Sequence, residues 1–221
     1  MKKLLLVANW KANKTESEAN DWLKRFKSDD VGFKNNEKEI IICSPFTLLP
    51  ILKSYFLSHN SQIKLGAQDV SPFPRGAYTG EVAADQLKEF VSSVLIGHSE
   101  RRKYFHENDQ MLANKVDLAI TSGLTPIFCV QDEHTSIPKG VKIVAYEPVF
   151  AIGTGEPDSP RNAEEVARQL TENSQVSMVL YGGSVTDKNV HAFTSMEHIS
   201  GVLVGSASLD PSSFMSIIAN A

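Results

Sequence analysis

Lys142-Ile143-Val144-Ala145-Tyr146-Glu147-Pro148-Val149-Phe150-Ala151-Ile152-Gly153-Thr154-Gly155 is one structural unit of this chain written out. Residues 142–146 form a short apolar β-type run, Glu147 stands at its end, and Pro148 begins a small-residue loop closed by Gly153 and Gly155. A little further on, Ser159-Pro160 supplies an N-cap and a first-turn proline. Behind them Ala163, Val166, Ala167 and Leu170 recur at the spacing of one apolar helix face. The local order is therefore strand, loop, helix. A carboxylate at a strand end ahead of a glycine-closed loop is the pattern of a catalytic base followed by a mobile lid. An ordinary strand-to-helix loop with a solvated Glu reads the same way, and the rest of the chain decides between them.

The same order recurs along the sequence. Eight short runs rich in Ile, Val and Leu occupy 4–8, 39–43, 63–67, 93–97, 125–130, 142–146, 177–181 and 202–205. They are near-continuous rather than alternating, which marks parallel strands buried on both faces. Helical stripes lie between most of them: Ala19, Trp22, Leu23 and Phe26; Leu48, Leu49, Leu52, Tyr55 and Phe56; Val82, Ala83, Leu87, Phe90 and Val91; Leu112, Val116, Ala119 and Ile120. A short helix with Val190 and Phe193 follows Thr186, and a last one with Phe214, Ile217 and Ile218 follows Asp210-Pro211. Right-handed crossovers carry such a chain around one sheet, so the sequence predicts an α/β fold, a closed (β/α)8 barrel, as one domain over 1–221. An open doubly wound sheet is the competitor, but no Gly-x-Gly-x-x-Gly follows the first run and no Walker sequence occurs. One connection breaks the pattern: 131–141 contains Ile137-Pro138-Lys139-Gly140 and no apolar stripe, so the helix between strands five and six is predicted missing.

With 221 residues, 42% hydrophobic and 22% charged, the chain can bury a large single core. A net charge of -4 gives no basic footprint for nucleic acid or for a membrane surface. Two lysines ahead of Leu4, Leu5 and Leu6 imitate a signal peptide, but the run is short and leads into Asn9-Trp10-Lys11 without a small-residue cleavage site; a buried strand is the better reading. No later run could span a bilayer. Cys43 and Cys129 sit inside strand-like runs and are expected to be reduced core thiols in the cytoplasm.

In a (β/α)8 barrel the loops after the strands converge over one mouth. Here those ends carry Asn9-Trp10-Lys11, Gly97-His98-Ser99-Glu100, Glu147, Gly182-Gly183-Ser184 and Gly205-Ser206. Singly, each has an ordinary reading as a solvated cation, a structural imidazole or a tight turn. Together, a cation, an imidazole and a carboxylate beside two glycine loops describe an anion site with acid–base groups, suited to proton abstraction next to a carbonyl. A serine nucleophile lacks its Gly-x-Ser-x-Gly context, and no zinc spacing occurs. A glycosidase would want a second carboxylate; Glu100 is available, but Arg101 and Arg102 beside it favour an ion-paired role.

Asn9-Trp10-Lys11, Gly66-Ala67-Gln68, Thr79-Gly80-Glu81, Gly97-His98-Ser99-Glu100-Arg101-Arg102, the 145–155 stretch and Tyr181-Gly182-Gly183-Ser184-Val185 occur in order along nearly the whole chain. Jointly they resemble the triosephosphate isomerase family. The resemblance implies interconversion of dihydroxyacetone phosphate and D-glyceraldehyde 3-phosphate through an enediolate, in glycolysis and gluconeogenesis, without metal or organic cofactor. It implies Glu147 as the base, a neutral His98 that polarises the carbonyl, Lys11 to balance charge, Asn9 as a nearby donor and Glu100 as the partner of Lys11. Backbone N–H groups of Gly153, Ser184, Gly205 and Ser206 would bind the phosphate. Pro148, Val149, Phe150, Ala151, Ile152, Gly153, Thr154 and Gly155 would form the lid, latched by Tyr181 and Ser184. A homodimer is implied, with Thr79 in the loop after strand three reaching the neighbour's Asn9 and Lys11.

Four features depart from the family. Ser206 stands where a glycine is usual, and keeps its backbone N–H. Phe150 replaces a Trp whose indole meets a Glu that is also lost, here Gln131-Asp132, so no donor is orphaned and a weaker latch is expected. Pro157 fixes φ at the lid exit, which is expected to move the hinge towards Thr154 and Gly155. The chain also falls short of the about 250 residues typical of such barrels, mostly between Cys129 and Lys142. A bare apolar flank is expected there, covered by a further subunit in a tetramer. A non-catalytic phosphosugar-binding or scaffold barrel is the alternative function; the retention of Lys11, His98 and Glu147 counts against it.

Overall fold

The structure is a computed structural model that describes residues 2–26, 37–151, 156–172 and 174–221. Eight parallel strands close into a barrel in sequence order: β1 (Leu4–Asn9), β2 (Lys38–Ser44), β3 (Lys64–Ala67), β4 (Ser93–Ile96), β5 (Thr125–Val130), β6 (Ile143–Tyr146), β7 (Met178–Tyr181) and β8 (Ile199–Val204). Around them lie α1 (Glu16–Arg25), α2 (Leu49–Ser58), α3 (Ala84–Leu87), α4 (Ser99–Tyr104), α5 (Asp109–Thr121), α6 (Pro160–Glu172), α7 (Val190–Thr194) and α8 (Pro211–Asn220). No helix among the described residues is long and apolar enough to cross a membrane.

Alternation along each strand divides the core in two. Leu5, Val7, Ile41, Cys43, Leu95, Ile127, Cys129, Ala145, Leu180 and Leu203 fill the barrel interior. Their sequence neighbours, such as Leu6, Ala8, Ile42, Phe128, Val144 and Val202, pack outward against the helices. Both sets are apolar, which is why the strands read as unbroken hydrophobic runs. Cys43 and Cys129 are free, buried thiols, and burial pushes both well above the ordinary thiol range.

Both helix starts read from the sequence are present: Ser159 Oγ accepts the Asn162 N–H at 3.1 Å ahead of α6, and Asp210 Oδ1 accepts the Ser213 N–H at 2.9 Å ahead of α8. At α1 the structure adds a capping box of Thr15 and Glu18. Trp22 on α1 stacks on Phe26 and donates its indole N–H to the Ser208 carbonyl, so α1 is tied to the loop after β8.

The connection over 131–142 contains no helix, as predicted. The bare flank expected with it does not exist. The outward residues Phe128 and Val130 of β5 and Val144 and Tyr146 of β6 are all buried within the single chain. The loop itself covers them: Val141 is buried, Ile137 packs on the outer core, and Thr135 Oγ1 folds the turn by accepting the N–H groups of Gln131 and Asp132. The structural ground for a further subunit at this flank falls away.

Three elements depart from the sequence reading. The third stripe yields a helix of only 4 residues, with Phe90 and Val91 bonding back to the Leu87 carbonyl. Ser99–Tyr104 is a helix without a buried residue, so it has no apolar stripe to reveal it. β8 starts at Ile199 because Gly201 marks an irregularity against β7, where Val179 faces Ile199 but Leu180 faces Gly201.

Buried charge ties the β3 and β4 sides together. The Lys115 ammonium pairs with Asp69 Oδ1 at 2.6 Å and with Glu107, and Arg101 reaches Asp69 Oδ2 at 2.8 Å and Glu107 Oε1 at 2.7 Å. Two cations thus face two carboxylates, and leaving either sign uncompensated in such surroundings is expensive.

Gly201 closes the ring. It has φ +151°, and a Cβ there would lie 1.9 Å from the Leu5 carbonyl oxygen of β1. Gly201→Ala is therefore expected to lower stability by on the order of 3 kcal/mol, measured by urea unfolding; an unchanged midpoint would contradict this account of closure.

Candidate active site

The strand ends place seven of the candidate residues around one opening: Asn9, Lys11, His98, Glu147, Ser184, Gly205 and Ser206. A cavity of about 350 Å³ at the C-terminal rim is lined by Asn9, Lys11, His98, Glu147, Gly182, Gly183, Ser184, Val185, Thr186, Leu203, Gly205, Ser206 and Ala207. Glu100 does not line it but holds the lysine from behind, with Lys11 Nζ 2.6 Å from Glu100 Oε1.

His98 is the N-cap of α4, and its Nδ1 accepts the Glu100 N–H at 3.2 Å. A ring nitrogen that accepts carries a lone pair, which leaves Nε2 as the nitrogen that bears the ring N–H. His98 Nε2 lies 3.1 Å from Glu147 Oε1. The other oxygen of Glu147 accepts the Ser99 N–H at 3.0 Å, and the side chain is only 2% exposed. The first turn of α4 therefore offers an imidazole N–H and a backbone N–H to one carboxylate. Gly182 closes the other side: a Cβ there would come within 3.0 Å of Glu147 Cγ and 3.2 Å of the Tyr146 carbonyl oxygen. The glycine after β7 is thus needed for close approach to the carboxylate.

Lys11 has φ +53°. Its N–H donates to Asn9 Oδ1 at 3.0 Å, and its carbonyl accepts from Gln68 Nε2 at 3.0 Å. Gln68 Nε2 also donates to the Cys43 carbonyl at 2.9 Å, so it pins the first loop to β2. Arg101 and Arg102 do not pair with Glu100, contrary to the reading from adjacency: Arg101 turns to Asp69 and Glu107, while Arg102 donates to the Gly97 and Cys129 carbonyls. A helix of one to two turns points successive side chains in different directions, so neighbours in sequence are not neighbours in space.

The loops after β7 and β8 form the opposite side of the cavity. Ser206 begins a 3-10 turn over Ser206–Ser208 and is not among the positive-φ residues, so replacement of the family's glycine introduces no left-handed strain. Of the lid residues, Pro148, Val149, Phe150 and Ala151 are described; Ile152, Gly153, Thr154 and Gly155 lie outside the described residues, and with them the Gly153 contact and the expected hinge shift. Phe150 is 62% exposed. Of the two residues expected to latch the lid, Ser184 donates from Oγ to the Ala151 carbonyl at 2.8 Å, whereas Tyr181 Oη accepts the N–H of Asp158, beyond the expected lid, at 2.7 Å. Thr79 lies on the exposed loop between β3 and α3 and is not part of this chain's own cavity lining.

Two residues escaped the sequence reading. Gln68 was visible only as part of a motif, without its task. Asp158 sat between the lid and a cap already assigned to Ser159, and proves to be buried. Among the described residues no group of three His, Cys, Asp or Glu is placed to hold a metal ion.

Known proteins resemble the chain over nearly its whole length. A family model described as triosephosphate isomerase matches residues 4–142 and 139–221, two stretches that meet within the shortened connection between β5 and β6. The chain is 39% identical over 251 residues to the triosephosphate isomerase of Dictyoglomus thermophilum, covering 99% of both, and 37% identical over 243 residues to that of Mesomycoplasma hyopneumoniae, again covering 99% of both. The crystal structure of triosephosphate isomerase from Bartonella henselae superposes with a TM-score of 0.81 at 29% identity, covering 99% of this chain and 98% of that one. The barrel closed around an imidazole–carboxylate pair, with matches of this extent, places the chain in the triosephosphate isomerase family.

Proposed function

We propose that the chain interconverts dihydroxyacetone phosphate and D-glyceraldehyde 3-phosphate by proton transfer through an enediolate, with Glu147 as the base and His98 as a neutral electrophile. The observation that carries this reading is the 3.1 Å approach of His98 Nε2 to Glu147 Oε1 on the wall of a cavity that also receives Lys11.

A proton next to a carbonyl becomes removable when the developing negative charge on oxygen is met by fixed donors. His98 Nε2–H and the Lys11 ammonium are such donors, and Asn9, whose Oδ1 is taken by the Lys11 N–H, offers its amide N–H bonds. Glu147 takes the proton from one carbon and returns it to the other. His98 supplies a proton to one oxygen and recovers it from its neighbour, which a neutral ring can do from a single nitrogen. Backbone N–H groups of Ser184, Gly205 and Ser206 hold the phosphate, with Gly153 from the lid. Residues 148–155 exclude water so that the enediolate does not lose its phosphate. Phe150 offers no indole N–H, and its exposure supports a weaker latch on the closed lid.

The reading extends to assembly. The stacked rings of Phe73 and Tyr78 are 42% and 41% exposed on the loop that carries Thr79, and Tyr104 and Phe105 are exposed on and beside α4. Exposed aromatics on a projecting loop support a homodimer in which Thr79 meets the neighbour's Asn9 and Lys11. Two buried thiols support a reducing, cytoplasmic setting.

Purified protein is expected to turn over glyceraldehyde 3-phosphate in a coupled assay, and Glu147→Asp, which draws the carboxylate back by one methylene, is expected to lose about a hundredfold in kcat. Wild-type activity no higher than that of the variant would sink the isomerase reading. Light scattering at micromolar concentration is expected to give twice the chain mass of 24.3 kDa; a monomer would remove the shared-site dimer.

A further inference from the structure

Asp158 is buried between the lid and α6 and lines no part of the cavity. Its carboxylate is fully engaged. Oδ2 accepts the Tyr146 hydroxyl at 3.1 Å and the Asn162 side-chain N–H at 2.7 Å, and Oδ1 accepts the Ser159 N–H at 2.7 Å. Its own N–H donates to Tyr181 Oη at 2.7 Å. One residue thus holds the hydroxyls of two tyrosines on adjacent strands.

Those tyrosines occupy a particular place. Tyr146 ends β6 and is followed by Glu147; Tyr181 ends β7 and is followed by Gly182. They face each other in the ladder, and the Gly182 N–H donates to the Tyr146 carbonyl at 2.8 Å. Glu147 leaves the sheet from the residue that Asp158 grips, and rests against the glycine that follows the second one. Helix capping accounts for the Ser159 and Asn162 bonds, but it has no use for the Tyr146 hydroxyl. A phenylalanine at 146 would fill the same space without burying a polar atom that needs a partner. Burial, with the Asp158 carboxylate adding to it, raises the Tyr146 hydroxyl above its ordinary range, so it stays protonated as a donor.

We propose that Asp158 is a positioning residue for the isomerisation: through the Tyr146 hydroxyl it fixes the end of β6 against β7, and so fixes where the Glu147 carboxylate reaches. The proposal rests on the reading of Glu147 as the base. A displacement of that carboxylate by a fraction of an ångström weakens proton transfer while leaving phosphate binding to the loops after β7 and β8, so the loss falls on kcat and not on KM.

The test uses the full chain and steady-state turnover of glyceraldehyde 3-phosphate for wild type, Asp158→Ala, Tyr146→Phe and the double variant. Each single variant is expected to lose about ten- to a hundredfold in kcat with KM within about threefold of wild type. The double variant is expected to match the worse single one, because both remove the same link. Tyr146→Phe deletes one hydroxyl and leaves the α6 cap intact, so it carries the test even where Asp158→Ala unfolds. Wild-type kcat in Tyr146→Phe, losses that multiply in the double variant, or a loss confined to KM would each overturn the positioning role while the isomerase reading stands. An inactive wild type would overturn both.

Discussion

Everything in this molecule depends on closing eight parallel strands into one ring. β8 must pair with β1 as well as β7, and it does so through the Leu5 to Gly201 contact, where no side chain fits between the strands. Once the ring is closed, strand polarity alone delivers Asn9, His98, Glu147, Gly182 and Gly205 to one rim, since each stands at or just after a strand's C-terminal end. The chemistry is assembled by direction before any side chain is positioned.

Much of this was legible in the sequence because burial on both faces leaves an unmistakable mark. Runs such as 125–130 and 142–146 have no polar face to interrupt them, and caps such as Asp210-Pro211 state a helix start in two residues. What escaped notice had no such mark. Ser99–Tyr104 packs nothing on the core and so shows no period. The first half of β8 hides behind Gly201, which reads as a break although the strand runs through it. The coverage of the β5–β6 flank depends on where Ile137 and Val141 land, and no spacing encodes that. Within the site, the residues that would meet substrate were readable as types. Gln68 and Asp158, which hold backbone and hydroxyls in place, were not, because amides and carboxylates near loops are usually solvated.

Charge is handled in two ways. The Lys11–Glu100 pair is partly exposed, and its worth to folding is small; its importance lies in where it leaves the ammonium. The Asp69, Arg101, Glu107 and Lys115 group is a closed set in which each charge is needed by the others. It sits directly beyond Gln68, so the segment that supports the Lys11 carbonyl is itself held at its next residue. Arg101 lies in the same short helix whose first turn serves His98 and Glu147. The site's floor and the ionic group are thus two ends of one stretch of chain.

The left-handed backbone of Lys11 has a consequence for the energetics of ligand capture. A non-glycine residue at φ +53° costs on the order of 1 kcal/mol. Here it is offset by fixed bonds to Asn9 and Gln68 on either side. A lysine side chain usually surrenders on the order of 2 kcal/mol of rotamer entropy when it is immobilised. Anchored at its root by that unusual backbone and at its tip by Glu100, this one has surrendered much of that freedom during folding. An anion entering the cavity would meet a cation that is already aimed, its ordering cost moved from the encounter to the fold.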